Sequence, residues 1–534
     1  MKYRLSLGFL VVCLFSLINV AVYAQTDLGS VLVGQEKTET ISVSIPTART
    51  LTRISVVTSG APNQDFTREE GGSCAIGIAY QAGAVCTVRV EFEPRYPGTR
   101  NGAVVLRDQY EDIVGITYLH GRGLGSHAAF LPATLTQVSG GFTAPQGLAV
   151  DGSGNFYVAE NLFFPGGYGG NEPVYGGVAM GASQTSQGSI GQGWVDPTSI
   201  AVDGAGNVFV SDFIGGIWKL TLHSDGSYAQ TLAVSGGSGV AIDGSGNLYT
   251  IEVGTDLYKE TLQKDGSYLP TKIAGGFSTP TSVAVDESGN VYVTDTGNQF
   301  ASNPVVALYK ETLSKGKYTQ SAIGTGWVQP SAVAVDSVGN IYVNDSGSVY
   351  KEILLENGQY FQTVVVSQVA APGGVTVDAA GSVYVTEYSG IGDYGMASYS
   401  VFRLDYSRPA GLNFDQAKRG SSSDDGPKTI TVANFGNTRL NFWGVIYPVD
   451  FPESRAGTGD CTVLTSLEPG ENCTVTVEFA PKTWTGRMKT RPLWEQVTVI
   501  TNSMNSFFAE KSIAVSGTVV NQGPHGTPKR AITR

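Results

Sequence analysis

The stretch SVAVDESGNVYVTD, residues 282–295, decides the fold because variants of it recur along the chain. Each copy has an apolar run, an Asp, a short turn, a second apolar run and a second acid. Six copies lie between Leu148 and Glu387, at steps of 40 to 52 residues. A period of roughly 40–50 residues with strand–turn–strand content is typical of a β-propeller or a similar radial array. The first acids, called the anchoring acids below, are Asp151, Asp203, Asp243, Asp286, Asp336 and Asp378.

Each copy also carries features expected of strands around a central axis. Proline, or Gly237 in the third copy, lies six residues before each anchoring acid. Proline fits the start of a strand because it cannot donate to a ladder. The small apolar run after it suits an innermost strand that neighbouring sheets cover on both faces. Outer hairpins such as LYKETLQKDGSY, residues 257–268, turn at tight dipeptides such as Asp265-Gly266 and add two further strands.

The ends of the repeat region predict how the ring closes. The sixth copy supplies only three strands, the last near residues 398–405. A fourth strand is available at residues 134–139, ahead of the first copy. We expect these two segments to pair, because pairing hides strand edges that would otherwise promote aggregation.

The shared pattern P-x-x-apolar-A-V-D-x-x-G-N-apolar-Y-V-x-[DE] resembles the NHL repeat, over about 280 residues and six copies. The resemblance implies a six-bladed β-propeller, assigned to residues 126–408. The family's D-x-x-N-x-R-I continuation is approached only at residues 295–298, so a site built from that segment is not implied. The Gly-rich stretch 166–193 does not lead from a strand into a helix and is interpreted as an insertion in the first blade.

The amino-terminal 24 residues have the features of an export signal. Lys2 and Arg4 precede an apolar stretch, and Val22-Tyr23-Ala24 forms a small-residue cleavage site. The sequence therefore predicts a secreted, periplasmic or cell-surface protein without a stable membrane span. Cleavage would reduce 34 basic residues to 32 against 46 acidic ones. Such an acidic chain is a poor candidate for binding nucleic acid.

Four cysteines remain after the signal, in two pairs with equal spacing. In an exported protein this favours two local disulfides, each closing a loop of about 13 residues. A zinc site would need ligands from two distant domains and is the alternative. The four residues are Cys74, Cys86, Cys461 and Cys473.

The cysteine pairs lie in two related flanking modules. CTVRVEFEP starts at Cys86 and CTVTVEFAP at Cys473, each with the two-residue period of a half-buried strand. With the Asp-Phe segments and a closing Gly, both modules resemble the abnormal-spindle/Hydin-type immunoglobulin-like domains. The expected fold is all-β, with the propeller between two immunoglobulin-like β-sandwiches at residues 25–125 and 409–520. Residues 521–534 are interpreted as a disordered tail.

A second acid follows nine residues after each anchoring acid, and all six should lie on one face of the ring. They are the candidate binding residues. The ring could bind Ca²⁺ or a cationic ligand, or each carboxylate could accept backbone N–H groups in its own turn. The second acids are Glu160, Asp212, Glu252, Asp295, Asp345 and Glu387.

Catalytic signatures are scarce. Only His223 falls within the repeat region, and G-x-S-x-G, H-E-x-x-H and G-x-x-x-x-G-K do not occur. No catalytic residue, metal ligand or cofactor is therefore assigned. We expect a non-catalytic interaction protein whose propeller binds a protein or glycan partner, with the sandwiches as spacers. The alternative is a calcium-dependent enzyme of the lactonase or lyase type.

Overall fold

The computed structural model describes residues 25–520 except 143, 161–176, 182–186, 214, 253–254, 303, 356, 368, 392–396, 455–458 and 483–488. The expected export signal, the expected tail and most of the insertion lie outside these residues. The described chain is built from β-strands, with one short 3₁₀ turn at Ser503–Asn505. No described helix is long and apolar enough to cross a membrane.

Residues 25–124 form a module that we call the cap. It contains a five-stranded sheet in the order β1-β10-β9-β4-β5, a three-stranded sheet β2-β8-β6, and the pair β3-β7. Alternate side chains of β8, including Val88, Val90 and Phe92, are buried between the two larger sheets. The strands are β1 (Thr26–Leu32), β2 (Lys37–Ile45), β3 (Arg49–Thr50), β4 (Arg53–Thr58), β5 (Ala61–Pro62), β6 (Phe66–Gly72), β7 (Ala79–Tyr80), β8 (Ala84–Phe92), β9 (Gly98–Arg107) and β10 (Ile113–Leu124).

The repeat copies form six four-stranded antiparallel sheets in the described residues. The first three contain β13 (Pro145–Val150), β14 (Phe156–Glu160), β15 (Gly177–Gly181) and β16 (Gln187–Ser189); β17 (Pro197–Val202), β18 (Val208–Asp212), β19 (Gly216–Leu222) and β20 (Tyr228–Val234); and β21 (Gly239–Ile242), β22 (Leu248–Ile251), β23 (Asp256–Leu262) and β24 (Tyr268–Gly275).

The other three sheets follow the same plan, except that the sixth takes a strand from upstream. They contain β25 (Pro280–Val285), β26 (Val291–Asp295), β27 (Ala307–Ser314) and β28 (Lys317–Ile323); β29 (Pro330–Val335), β30 (Ile341–Asp345), β31 (Ser348–Leu354) and β32 (Tyr360–Ser367); and β33 (Val375–Val377), β34 (Val383–Ile391), β35 (Ala397–Pro409) and β12 (Ala133–Phe142).

The sheets form a closed ring, because the first strand of each contacts the first strand of the next and β33 contacts β13. The expected closing pair is present: β12 runs antiparallel to β35, with Thr134 opposite Asp405. The chain thus contains a β-propeller. Turns between first and second strands lie on one side, here the turn face. The second acids lie on the other, the acid face, where Pro280 is opposite Asp295.

The carboxy-terminal module contains a sheet β36-β43-β42-β39-β40, with β37 paired to β43, and a second sheet in which β11 (Ala128–Leu131) precedes β38 and β41 in the order β11-β38-β41. Its strands are β36 (Leu412–Asn413), β37 (Ala417–Lys418), β38 (Lys428–Asn434), β39 (Leu440–Ile446), β40 (Ser466–Leu467), β41 (Asn472–Val477), β42 (Thr490–Thr501) and β43 (Ala509–Val520). Both expected disulfides are formed, Cys74–Cys86 with an S–S distance of 2.02 Å and Cys461–Cys473 with 2.08 Å.

The expected domain boundary at residue 126 placed the strand β11 (Ala128–Leu131) in the propeller. In the structure, β11 belongs to a sheet of the carboxy-terminal module. It pairs with β38, with Phe130 opposite Val432. Phe130 is buried in the core of the carboxy-terminal module, whereas Ala129 packs against the fifth and sixth sheets of the ring. This strand therefore joins the module to the ring.

Candidate functional site

The anchoring acids hold the turns of the ring. Asp286 accepts the backbone N–H groups of Ser288 and Asn290 at 2.9 Å, the Asn290 side-chain amide at 2.8 Å and the Tyr292 hydroxyl at 2.8 Å. Similar bonds recur around the other five anchoring acids. Four donors use the acceptor sites of one carboxylate. The anchoring acids therefore stabilise the turns and are not available to bind a ligand.

In the second sheet, the anchoring acid lacks the tyrosine hydroxyl that its own sheet would normally donate. Phe209 occupies the position that Tyr292 has in the fourth sheet and cannot donate to its anchoring acid, Asp203. Tyr118 of the cap supplies the missing hydroxyl, 2.8 Å from Oδ2 of Asp203. Asp203 is buried in this contact. The cap therefore completes a turn of the ring.

We expect Tyr118→Phe to lower the free energy of unfolding by about 1.5–3 kcal/mol, because a buried carboxylate loses a donor. Urea titration of the whole protein measures the change. Adding Phe209→Tyr should restore part of the loss, since the ring would again supply its own hydroxyl. The exposed Tyr110→Phe should have no effect, and an equal loss there would contradict the assignment.

The cap contacts a turn of every sheet, at the residue directly after the anchoring acid or beside it. In the first two sheets the approach is backbone to backbone: a Cβ on Gly152 would lie 2.1 Å from the Thr58 carbonyl oxygen, and one on Gly204 would lie 2.6 Å from that of Gly102. Only glycine fits such gaps. The other contacts involve Gly244, Glu287, Ser337 and Ala379.

The cap therefore covers the turn face, and partners can approach the ring mainly from the acid face. There the second acids hold the loops that lead into the first strands. Asp295 accepts the backbone N–H groups of Ser278 at 2.7 Å and Thr279 at 2.8 Å. Asp212 does the same for Val195 and Asp196, at 2.9 and 3.0 Å.

The remaining second acids also contact the loops that lead into the first strands. Asp345 binds the N–H groups of Val328 and Gln329. Glu160 accepts the N–H group of Ala144 at 3.4 Å, and Glu387 accepts that of Ala370 at 3.3 Å. Glu252 lies near the Gly236 backbone. Asp212, Asp295 and Asp345 are at most 2% exposed. The geometry matches the structural alternative for these three acids, while the three Glu side chains are more accessible.

Exposed apolar side chains lie in loops next to several of the second acids. Phe213 directly follows Asp212, and Val328 is held by Asp345. Their exposed fractions are 47% and 66%, and Phe300, in the loop after Asp295, reaches 92%. Val195, Val305 and Tyr388 add to the same face. The sequence pattern identified the acids but not these loop residues. Their positions nevertheless repeat in part, because Val195 and Val328 each lie 17 residues before a second acid, and Phe213 and Tyr388 each directly follow one.

The first strands present hydroxyl groups at this end of the ring. Thr198 donates from Oγ1 to the Ser238 carbonyl oxygen at 2.8 Å, and Thr281 donates to that of Pro330 at 2.8 Å. These bonds join neighbouring sheets. Across the described ranges, no group of three or more His, Cys, Asp and Glu side chains could hold a metal ion.

Three buried glutamates were also missed from the sequence. Glu260, Glu311 and Glu352 occupy equivalent positions on the third strands of successive sheets. Burial, with Glu252 as the second cause, raises the pKa of Glu260 to about 7. Glu311 accepts a hydrogen bond from Gln320 at 2.8 Å. The repeated Lys-Glu dipeptide could have identified these glutamates from the sequence. Its Lys packs over the aromatic ring of the second strand.

Comparison with known proteins gives one family match. The NHL repeat model matches residues 277–300, which include the fourth anchoring acid and its turn. No curated protein matches the chain. Among solved structures, a gluconolactonase from Xanthomonas campestris is 14% identical, with 50% of this chain and 89% of that chain covered and a TM-score of 0.38. Virginiamycin B lyase from Staphylococcus aureus is 13% identical, with 52% and 99% covered and a TM-score of 0.34.

Proposed function

We propose that the chain is an exported, non-catalytic binding protein. A six-bladed NHL-type propeller, between two immunoglobulin-like β-sandwiches, binds a protein partner through its acid face. Export is supported by the two disulfides, which persist in oxidising compartments. The proposed domains are the first sandwich at residues 25–125, which contains the cap, the propeller up to residue 408 and the second sandwich at 409–520, which also takes β11.

The observation that carries this proposal is the group of exposed apolar side chains on one face. Large apolar side chains exposed together on one face of a soluble protein often mark an interaction surface. Phe300 and Val328 belong to loops of neighbouring sheets, and Phe213 belongs to the second sheet of the same ring. Aromatic anchors of this kind dominate the energy of protein interfaces.

The second acids serve this surface as positioning residues. Each buried carboxylate fixes two successive N–H groups of a loop, so the loop backbone is ordered before a partner arrives. A preordered loop loses less conformational entropy on binding. Val195 and Val328 are themselves bonded through their backbone N–H groups, to Asp212 and Asp345. The acids thereby present apolar side chains to the partner without contacting it.

At Asp212, Asp295 and Asp345 the arrangement favours a positioning role over a catalytic one. In the part of the acid face that the structure describes, the three Asp carboxylates are occupied by backbone donors. The threonine hydroxyls are occupied by carbonyl groups of the next sheet. A general base needs a carboxylate or imidazole that can reach a substrate proton. The packing around Asp212, Asp295 and Asp345 does not offer one.

We expect the triple variant Phe213→Ser, Phe300→Ser and Val328→Ser to reduce partner capture from the organism's own envelope fraction at least tenfold. Truncating a few interface anchors removes most of the binding energy. The matched control is Val463→Ser, Leu464→Ser and Trp494→Ser, which alters equally exposed side chains of the carboxy-terminal module. Circular dichroism and melting temperature verify that both triple variants fold.

Unchanged capture by the triple variant would contradict the proposed surface. Turnover of a lactone or ester that a chelator abolishes would instead support the enzymatic alternative. Charge reversal at Asp212, Asp295 and Asp345 separates the two functions less well, because each carboxylate binds backbone N–H groups and its loss disturbs folding. The loop side chains can be changed without removing those bonds.

A further inference from the structure

The cap and the ring together form a cleft of about 350 Å³ at the turn-face end of the central channel. Binding sites for small molecules commonly have volumes of about 300–1,000 Å³. Cap residues line one side, and the turns of the first, fourth, fifth and sixth sheets line the other. This cleft is separate from the acid face, so it is independent of the protein-binding surface proposed above.

Two guanidinium groups of the cap leave hydrogen-bonding capacity unused at this cleft. Arg100 is 3% exposed, and its Nη1 donates to the Ala379 carbonyl oxygen at 3.2 Å. Its buried Nε has no hydrogen-bond partner among the described residues. The same holds for the buried Nε of Arg122, whose Nη1 lies 3.8 Å from Oε1 of Glu287. Both arginines line the cleft.

The acceptors of the cleft are already engaged. Asp336 accepts the N–H groups of Val338 and Asn340, the Asn340 side chain and the Tyr342 hydroxyl. Asp151, Asp286 and Asp378 are bonded within their own turns in the same manner. Asp65 accepts the Arg95 N–H at 2.7 Å, and Glu287 accepts the Thr99 hydroxyl. The cleft therefore offers donors and needs a ligand with acceptor oxygens.

The charges of the lining restrict the ligand further. Six carboxylates and three guanidinium groups surround the space. A polyanion would meet this negative field, whereas a singly charged group between Arg100 and Arg122 would gain local donors at a smaller Coulombic cost. A guanidinium group matches a carboxylate in a two-bond geometry.

We propose that this cleft binds a small monocarboxylate, with Arg100 and Arg122 as its ligand-binding residues. The ligand would contact the cap and the turns together, so it would also strengthen their contact. Calorimetric titration of the whole mature protein with acetate and with gluconate tests the site. Inorganic phosphate serves as the dianion probe and calcium chloride as the cation probe, all at constant ionic strength.

The expected result is saturable binding of a carboxylate that weakens about 10- to 100-fold in Arg100→Gln and in Arg122→Gln, since each removes a charge-assisted hydrogen bond. Arg49→Gln is the matched control, because Arg49 is a cap arginine paired with Asp108 away from the cleft. It should bind like the wild type. Phosphate should bind more weakly than either carboxylate.

Absence of saturable carboxylate binding would overturn the proposal, and so would equal binding by the arginine variants. Phosphate binding that equals or exceeds carboxylate binding would overturn the monoanion assignment, and calcium binding in place of both would overturn the donor argument. If Arg100→Gln does not fold because its bond to Ala379 is lost, Arg122→Gln decides the outcome, since Arg122 is partly exposed.

Discussion

Replacement of residues 134–141 by a Gly/Ser/Pro segment of equal length should prevent the ring from forming a stable structure. These residues supply most of β12, which pairs with β35 from Thr134 opposite Asp405 to Phe142 opposite Tyr399. Loss of this ladder and of the side chains beside it would cost roughly 5–10 kcal/mol, comparable to the whole stability of a typical domain. It would also expose the edge of β35 and favour aggregation.

The same replacement in β28 (Lys317–Ile323) is the matched control. That strand is also the outermost of its sheet, but it follows β27 directly in sequence and does not close the ring. We expect the β28 variant to be exported and folded with a lower melting temperature, and the β12 variant to be degraded or to lack a cooperative transition. Equal melting temperatures for the two variants would contradict closure through β12.

The sequence was sufficient to predict features that depend on short-range pattern. The period of the anchoring acids placed the turns, and counting strands in the sixth copy identified residues 134–139 as the closing partner. The cysteine spacing gave both disulfides. For the turns and the disulfides the information lies within one repeat or one hairpin, where alternation, turn residues and loop length constrain the backbone strongly. The closing strand was found by counting strands over the whole repeat region, since its partner lies far away in sequence.

The arrangement of the modules was not predictable in this way. The strand β11 (Ala128–Leu131) is short and apolar on both faces, so its pattern does not say which sheet it joins. Packing with β38 and with the ring decides it. The flanking modules were expected to be spacers, but both contact the ring. Such contacts depend on complementary surfaces far apart in sequence, which no local period encodes.

Two sequence signals of the cap contact were nevertheless present. Phe209 replaces the tyrosine found in the second strand of most copies, which leaves Asp203 without its usual donor. Glycine follows the anchoring acid in the first three copies, at Gly152, Gly204 and Gly244. These glycines do not adopt a positive φ. What their positions require is the absence of a side chain, which allows the cap to approach closely.

This observation gives the second large expected effect. The double variant Gly152→Val and Gly204→Val should separate the cap from the ring while leaving the blades folded. The added side chains would overlap the backbone of Thr58 and Gly102, which belongs to two strands of the cap and cannot move independently. Overpacking costs about 1–3 kcal/mol per site, so the two sites together should weaken the contact between the cap and the ring by roughly 2–6 kcal/mol.

Amide hydrogen exchange measures the result residue by residue. Protection should fall in the amino-terminal part of β9, at Thr99, whose N–H donates to the Ser337 carbonyl oxygen at 2.8 Å, and at Gly60, whose N–H donates to Gly204. Protection in the second strands of the ring should persist. Gly444→Val is the control, because its Cβ would have no neighbour within 4 Å and it needs no positive φ. Unchanged protection at Thr99 and Gly60 in the double variant would show that the ring does not need glycine to receive the cap, and that the glycines serve the turns alone.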